Sequence, residues 1–229
     1  MVEAVVRRNH DAASYPVEYP KLIHDLLVGG YCVQEIGYDG ELNGGLGGAY
    51  LRHVDIRNIL IDPMATDLQD GRAVFKLALR SKAWIEAHYP DAAALIDDRP
   101  VDAAELMTDE ILSPDPKNAR LLLEYWWREY DAKTETYRVH MALLCGDTVL
   151  EDSRDVKPEG YFEHGRYPFV LTTLYPRKGS ALGFGIIDLF GTQQRYADKL
   201  DQLVLKNALL ASRNKLLVTD ASGFDPDDL

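Results

Sequence analysis

A small set of carboxylates and one lysine could carry out phosphodiester chemistry. Asp62, Asp67 and Asp70 stand close together, Lys76 follows on a stretch with strand-like alternation, and Glu124 lies on a later one. Carboxylates and a lysine presented on strands can hold Mg²⁺ and stabilise charge during hydrolysis. Against this, Asp62-Pro63 is an ordinary turn sequence, and acidic residues are common throughout the chain. A metal-dependent nuclease using Asp62, Asp70, Lys76 and Glu124 is one hypothesis; it requires those side chains to converge within metal-ligand reach. Other chemistry is less well supported. His10, His24, His53, His88, His140 and His164 form no HxH or HExxH spacing and read as surface or satisfied core histidines. The "GGLGG" run at Gly44–Gly48 lacks the Gly-Lys-Ser/Thr ending of a phosphate loop, and a strand follows where a helix is needed. In "EYWWREYD", Trp126 and Trp127 point to opposite faces of a strand, which argues against a single stacking platform and places one Trp in the core. There is no Gly-x-Ser-x-Gly elbow, and neither Cys32 nor Cys145 has a histidine nearby in sequence. No residue is singled out as catalytic, cofactor-binding or metal-ligating.

The chain of 229 residues accommodates one or two domains. Hydrophobic residues at 46% and charged residues at 27% match a globular protein and exclude wholesale disorder. Two cysteines far apart exclude a zinc ribbon or disulfide scaffold and read as small buried apolar groups in a reducing compartment. No run reaches the roughly 18 apolar residues a membrane span needs. Residues 1–19 lack the apolar centre of a signal peptide, so the chain reads as cytoplasmic when made. The net charge of −12 rules out a whole-surface footprint for nucleic acid. The charge is uneven, however. Between Arg177 and Lys215, seven Lys/Arg face three Asp, a local +4 that leaves −16 for the remainder.

The elements that would position these groups follow from periodicity and turn signals. Val17–Val28 carries helical spacing and stops at Gly29-Gly30. Tyr31–Ile36 and Ala49–Ile56 read as strands joined by the glycine-rich tip. Short strands are expected at Arg57–Pro63 and Arg72–Arg80, then a helix capped by Ser81 and stopped at Tyr89-Pro90. Residues 91–118 are acidic and proline-punctuated, with short helices at most around 92–96 and 101–107. Arg120–Tyr130, Thr136–Leu144 and Thr148–Glu151 form an antiparallel meander, and Tyr167–Tyr175 is extended. From Ile186 to Leu217 there is no proline, and apolar residues recur every three or four positions, which predicts a helix of about 20–25 residues. Arg195, Lys199, Lys206 and Arg213 share one face of it; small residues such as Ala197, Ala208 and Ala211 beside the apolar stripe permit close helix packing.

Three stretches, in order, resemble the portal proteins of tailed bacteriophages. "VDIRNILIDPMATDLQDGRAVFKLALRSKAWIEAHYPD" is similar to the family's wing region, with Asn58, Asp62, Pro63 and Ala65 in the turn, Asp67 and Asp70 in the acidic patch, and Tyr89-Pro90 ending a short helix. "EYWWREYD" and "TYRVHMALLCGDTVLED" resemble its Trp-bearing meander. The stretch from Tyr167 to Val218 resembles its core signature: Pro168-Phe169, the Gly183-x-Gly185 entry, and a helix bearing Gln193, Gln194 and Asp201. The resemblance covers about residues 55–217. Family members ordinarily continue with a clip domain, a second stem helix, a tunnel loop and often a crown. The chain ends at Leu229, so the resemblance implies a portal protein cut short after the first stem helix, as a piece or a degenerate prophage product.

What the resemblance implies is an α+β fold: antiparallel strands and short helices in a wing-like region, one long stem-like helix, and the start of a clip-like strand. The expected divisions are 1–176 (wing-like), 177–214 (stem-like helix) and 215–229 (beginning of the clip). The implied role is structural rather than enzymatic: a ring of about twelve copies in the full-length form through which DNA is packaged and ejected. No cofactor is implied. The implied partners are other copies of itself, the large terminase subunit, capsid and scaffolding proteins, a head-completion adaptor, and double-stranded DNA passing without sequence specificity. The location is the portal vertex of the virion, with assembly in the host cytoplasm. Arg195, Lys199, Lys206 and Arg213 are then candidates for the DNA channel or a subunit interface. The alternatives are the nuclease above, as a phage enzyme, and a virion adaptor that binds only protein and carries no cations toward a ring axis.

Overall fold

The computed structural model describes residues 15–93, 96, 118–132 and 134–212. They divide into two compact units, one ending at Ile187 and the other beginning at Asp188. The fold is α+β, with antiparallel sheets.

The first unit is built in layers. Helix α1 (Tyr15–Gly29) is followed by strand β1 (Tyr31–Asp39), a short helical turn α2 (Leu42–Gly45), and β2 (Gly48–Val54). The β1–β2 hairpin carries the glycine-rich tip, where Gly44, Gly45 and Gly47 adopt positive φ. That run is a hairpin turn leading into a strand, and not a phosphate loop. Strands β3 (Ile59–Ile61) and β4 (Ala73–Ser81) come next, separated by a 3-10 turn at Leu68–Asp70. Ser81 accepts a hydrogen bond from the Trp84 amide and caps α3 (Lys82–His88), after which α4 (Pro90–Ala93) begins. The meander of β5 (Ala119–Asp131), β6 (Thr136–Cys145) and β7 (Thr148–Asp152) stands as the alternation and the Gly146-Asp147 turn predict. A short helix α5 (Ser153–Val156), strand β8 (Phe169–Thr173) and a ribbon of β9 (Tyr175–Pro176) with β10 (Gly183–Phe184) complete the unit. The short helix expected at 101–107 lies outside the described residues.

Two sheets result. One has the order β2-β1-β8, the other β3-β4-β5-β6-β7. The core lies between them: Val33 and Phe169 from the first sheet meet Ile59, Val74, Leu122, Trp126, Val139, Met141 and Leu143 from the second, and all are buried. Trp126 is the core tryptophan and sits edge-on to Phe169 at 5.9 Å; Trp127, on the opposite face, stacks on Tyr125. Cys32 and Cys145 are both buried, unpaired apolar groups, as expected. α1 packs on the β1–β2 hairpin through Leu22 and through His53, whose amide donates to Glu18 (2.8 Å) and whose Nε2 meets Asp25 (2.7 Å).

The 3-10 turn ties the sheets together. Asp67 caps it by accepting from the Gln69 amide. The Gln69 side chain then donates to Tyr167 O and Phe169 O and accepts from the Tyr167 amide, at 3.0–3.2 Å. One amide thus satisfies three main-chain groups at the entry to β8. Gly30 (φ +82°) ends α1 where no side chain fits, because a Cβ would run into the backbone of Phe184 and Gly185. The Gly183-x-Gly185 entry has the same cause: a Cβ on Gly183 would stand 2.7 Å from Gly30 O, and one on Gly185 would meet the carbonyls of Leu27 and Val28.

The long helix α6 runs from Ile186 to Ser212, 27 residues. It begins at Ile186, where the loss of proline and the three-to-four spacing predict it, just after Gly183–Phe184 pairs as a strand. No residue of α6 is buried. Residues 215–229 lie outside the described residues.

Candidate functional site

Two arrangements bear on function: the acidic–lysine cluster, and helix α6.

Register explains the first. Lys76 on β4 lies directly opposite Glu124 on β5, and both face the interior of the sandwich. Glu35 reaches them from β1 in the other sheet. Lys76 Nζ donates to Glu35 Oε2 at 2.8 Å and to the two oxygens of Glu124 at 3.1 and 3.3 Å. Tyr50 donates to Glu35 at 3.2 Å, and Trp126 Nε1 to Glu124 at 3.4 Å. Burial pulls the Lys76 ammonium toward its neutral form, but the two carboxylates more than offset this and raise its pKa. The Tyr50 hydroxyl is pushed up by burial and by the adjacent Glu35 charge.

Asp62 and Asp70 do not join this group. Asp62 turns back to accept from the Met64 and Arg72 amides and the Arg72 guanidinium; those backbone hydrogen bonds lead in holding its pKa down. Asp70 lies in the 3-10 turn and is exposed. Among the described residues no group of three or more His, Cys, Asp or Glu is placed to hold a metal ion. The nuclease hypothesis therefore loses its geometry: its lysine neutralises two structural carboxylates, and its loop aspartates shape turns. Sequence reasoning missed Glu35, the third member. The available signal was a lone charge inside the apolar run Tyr31–Ile36.

Helix α6 offers the second arrangement. At 100° per residue, Arg195, Lys199 and Lys206 fall within about 40° of arc, and all three are exposed. Arg213, the fourth cation of the expected stripe, lies outside the described residues. Arg195 is steadied by Gly191 O (3.2 Å) and Thr192 Oγ1 (3.4 Å), while Lys199 Nζ stands 5.9 Å from the Tyr196 ring centre. Beside this stripe, Tyr196, Leu200, Leu203 and Val204 are 56–66% exposed. A helix with this much uncovered apolar surface requires a partner.

Compared with known families, residues 1–222 match the model described as Phage P22-like portal protein. The chain belongs to that family. The match takes in nearly the whole chain, including the N-terminal hairpin that precedes the resembling stretches. Portal proteins of this family are structural components of the phage virion, act in DNA packaging, and form a homo-oligomeric ring associated with the capsid at its portal vertex. No curated protein matches the chain. Among the described residues no helix is long and apolar enough to cross a membrane.

Proposed function

We propose that this portal-family chain contributes α6 to the lining of a ring through which double-stranded DNA passes during packaging and ejection. The observation that carries the reading is the family match over residues 1–222. The exposed stripe of Arg195, Lys199 and Lys206, continued in sequence by Arg213, supports it. In this reading, residues 1–176 are the wing, 177–214 the stem and 215–229 the start of a clip. The cations contact phosphates without reading bases, so DNA slides. DNA movement would be driven by an ATPase in a partner, the large terminase subunit; capsid, scaffolding and head-completion adaptor proteins would meet the ring during assembly in the host cytoplasm. The chain itself performs no covalent chemistry.

Charge reversal at Lys199 and Lys206 tests this. The expected result is that Lys199→Glu/Lys206→Glu assembles a ring but packages DNA poorly. Weak DNA binding then loses roughly one unit of log–log salt slope for each phosphate contact removed. Normal packaging by the variant overturns the channel assignment. Failure of the ring to form moves the cations to the subunit interface instead.

A further inference from the structure

Helix α1 is weakly attached to the sandwich. Leu22 is its only fully buried residue, and Val17, Tyr19, Leu27 and Val28 are exposed. Pro20 stands inside the helix and has no N–H to give to the ladder. Helices of about 12–15 residues are marginal by themselves in water and draw most of their stability from a packed apolar face. α1 has 15 residues and packs little of such a face. An open groove of 610 Å³ lies beside it, with Pro20, His24 and Val28 on one side and Asp55, Ile56 and Arg57 on the other.

The attachment is concentrated at two places. At the carboxyl end the last turn is gripped. Gly30 O accepts from the Leu174 amide (2.9 Å), and Gly185 comes so close to the carbonyls of Leu27 and Val28 that a Cβ would collide with them. Along the body of the helix, polar contacts converge on one residue of β2. Glu18 accepts from the His53 amide at 2.8 Å, and Asp25 meets His53 Nε2 at 2.7 Å. The side chains of His53 and Asp25 are each 13% exposed, and in so enclosed a place their contact is stronger than in water.

The surface under α1 is also defined. Val33 is in the core between the sheets and Glu35 reaches Lys76 there, so Cys32 and Gln34 face the other way, with Gln34 beside His53. Cys32 is 7% exposed yet stands outside that core, whereas Cys145 lies within it. Burial, and after it the nearby Asp25 charge, push the Cys32 thiol up, which puts α1 over it.

We infer that α1 is a strap that lifts off the β1–β2 hairpin while the sandwich stays folded, pivoting at its gripped last turn, and that His53 is the latch holding it down. The closed strap covers Cys32; the open strap bares Cys32 together with the His53 amide and imidazole. Opening breaks few apolar contacts, as in the least stable cooperative units of folded proteins. β1 keeps both its neighbours, β2 and β8, in either state.

The test is alkylation of the native full chain by iodoacetamide at low urea concentrations, with the two cysteines read separately by peptide mass. Each rate is divided by that of the same cysteine in the urea-unfolded chain. The expected result is that Cys32 reacts at least about tenfold faster than Cys145. Its rate should also depend weakly on urea, because strap opening exposes little surface. His53→Ala should speed Cys32 by about tenfold, the effect of losing one charge-assisted hydrogen bond. Gln69→Leu, whose contacts lie within the sandwich, should speed Cys145 and leave Cys32 unmoved. Glu18→Ala removes only the acceptor for the His53 amide; it should speed Cys32 as well, and it keeps the test decisive should His53→Ala fail to fold. Two cysteines that react at one rate, both climbing steeply with urea, overturn the strap, since α1 then leaves only when the whole unit unfolds. A Cys32 rate that the latch variants leave unchanged overturns the role of His53. A Cys32 rate that Gln69→Leu raises as far as that of Cys145 overturns separate opening.

Discussion

Replacing Lys76 by Met should cost about 3–5 kcal/mol of stability at neutral pH, the range for removing one partner of a buried ion pair. The side chains of Lys76, Glu35 and Glu124 are 18%, 11% and 22% exposed, so solvent screens them little. Without the ammonium, two carboxylates from facing sheets are left with one tyrosine hydroxyl and one indole N–H between them. Methionine fills the space but neutralises nothing. The triple variant Lys76→Met/Glu35→Leu/Glu124→Leu should return to within about 1–2 kcal/mol of the native chain, because charge removal and desolvation relief then go together. The pH dependence follows from the raised lysine pKa. Protons bind Lys76 more tightly in the folded state, so its contribution is complete below the ordinary lysine value and is lost as pH rises through the higher folded value. In Lys76→Met that alkaline loss disappears. Urea unfolding followed by tryptophan fluorescence reads this well, since Trp84, Trp126 and Trp127 all lie in the first unit. A loss under about 1 kcal/mol at pH 7, or an alkaline loss of stability that Lys76→Met retains in full, refutes the electrostatic account.

Two further expectations concern the same sandwich. Gln69→Leu removes three hydrogen bonds to main-chain groups of Tyr167 and Phe169 and should lower stability by about 2–4 kcal/mol in urea unfolding; a loss under about 0.5 kcal/mol would show that water replaces the amide. His140 is 2% exposed, and its Nδ1 has no hydrogen-bond partner among the described residues. Burial leads in depressing its pKa, so its neutral form is favoured in the fold. Acidification below the ordinary histidine value should destabilise the native chain, and His140→Phe should flatten that part of the pH–stability curve; parallel curves for the two proteins would contradict it.

The sequence made local structure legible wherever one signal was enough. Period-two alternation and turn residues located β4 through β7 to within a residue or two, and Ser81 announced its helix because capping needs only its own neighbours. The breakdown came where contacts are distant in sequence. β1 pairs with β8 from far along the chain, and nothing in either strand encodes that choice. Glu35 consequently arrives at Lys76 from an element that local reading had no reason to place there.

That one missing contact decides what the acidic–lysine set means. Lysine beside a carboxylate on adjacent strands is the raw material of a metal-assisted site, and the strand register does bring Lys76 to Glu124. Had solvent covered that face, an ion could have entered. A second sheet covers it instead and supplies a second carboxylate, so the lysine becomes the cation and the site is closed. The opposite face of the same strand is less deeply covered than the core but not bare: Phe75, Leu77 and Leu79 are half-buried, as are Lys76 and Ala78 behind them, and only Val74 is fully buried. The apolar residues of α6 are exposed by contrast, which is the kind of surface that marks an interface, and the family to which the chain belongs forms homo-oligomeric rings.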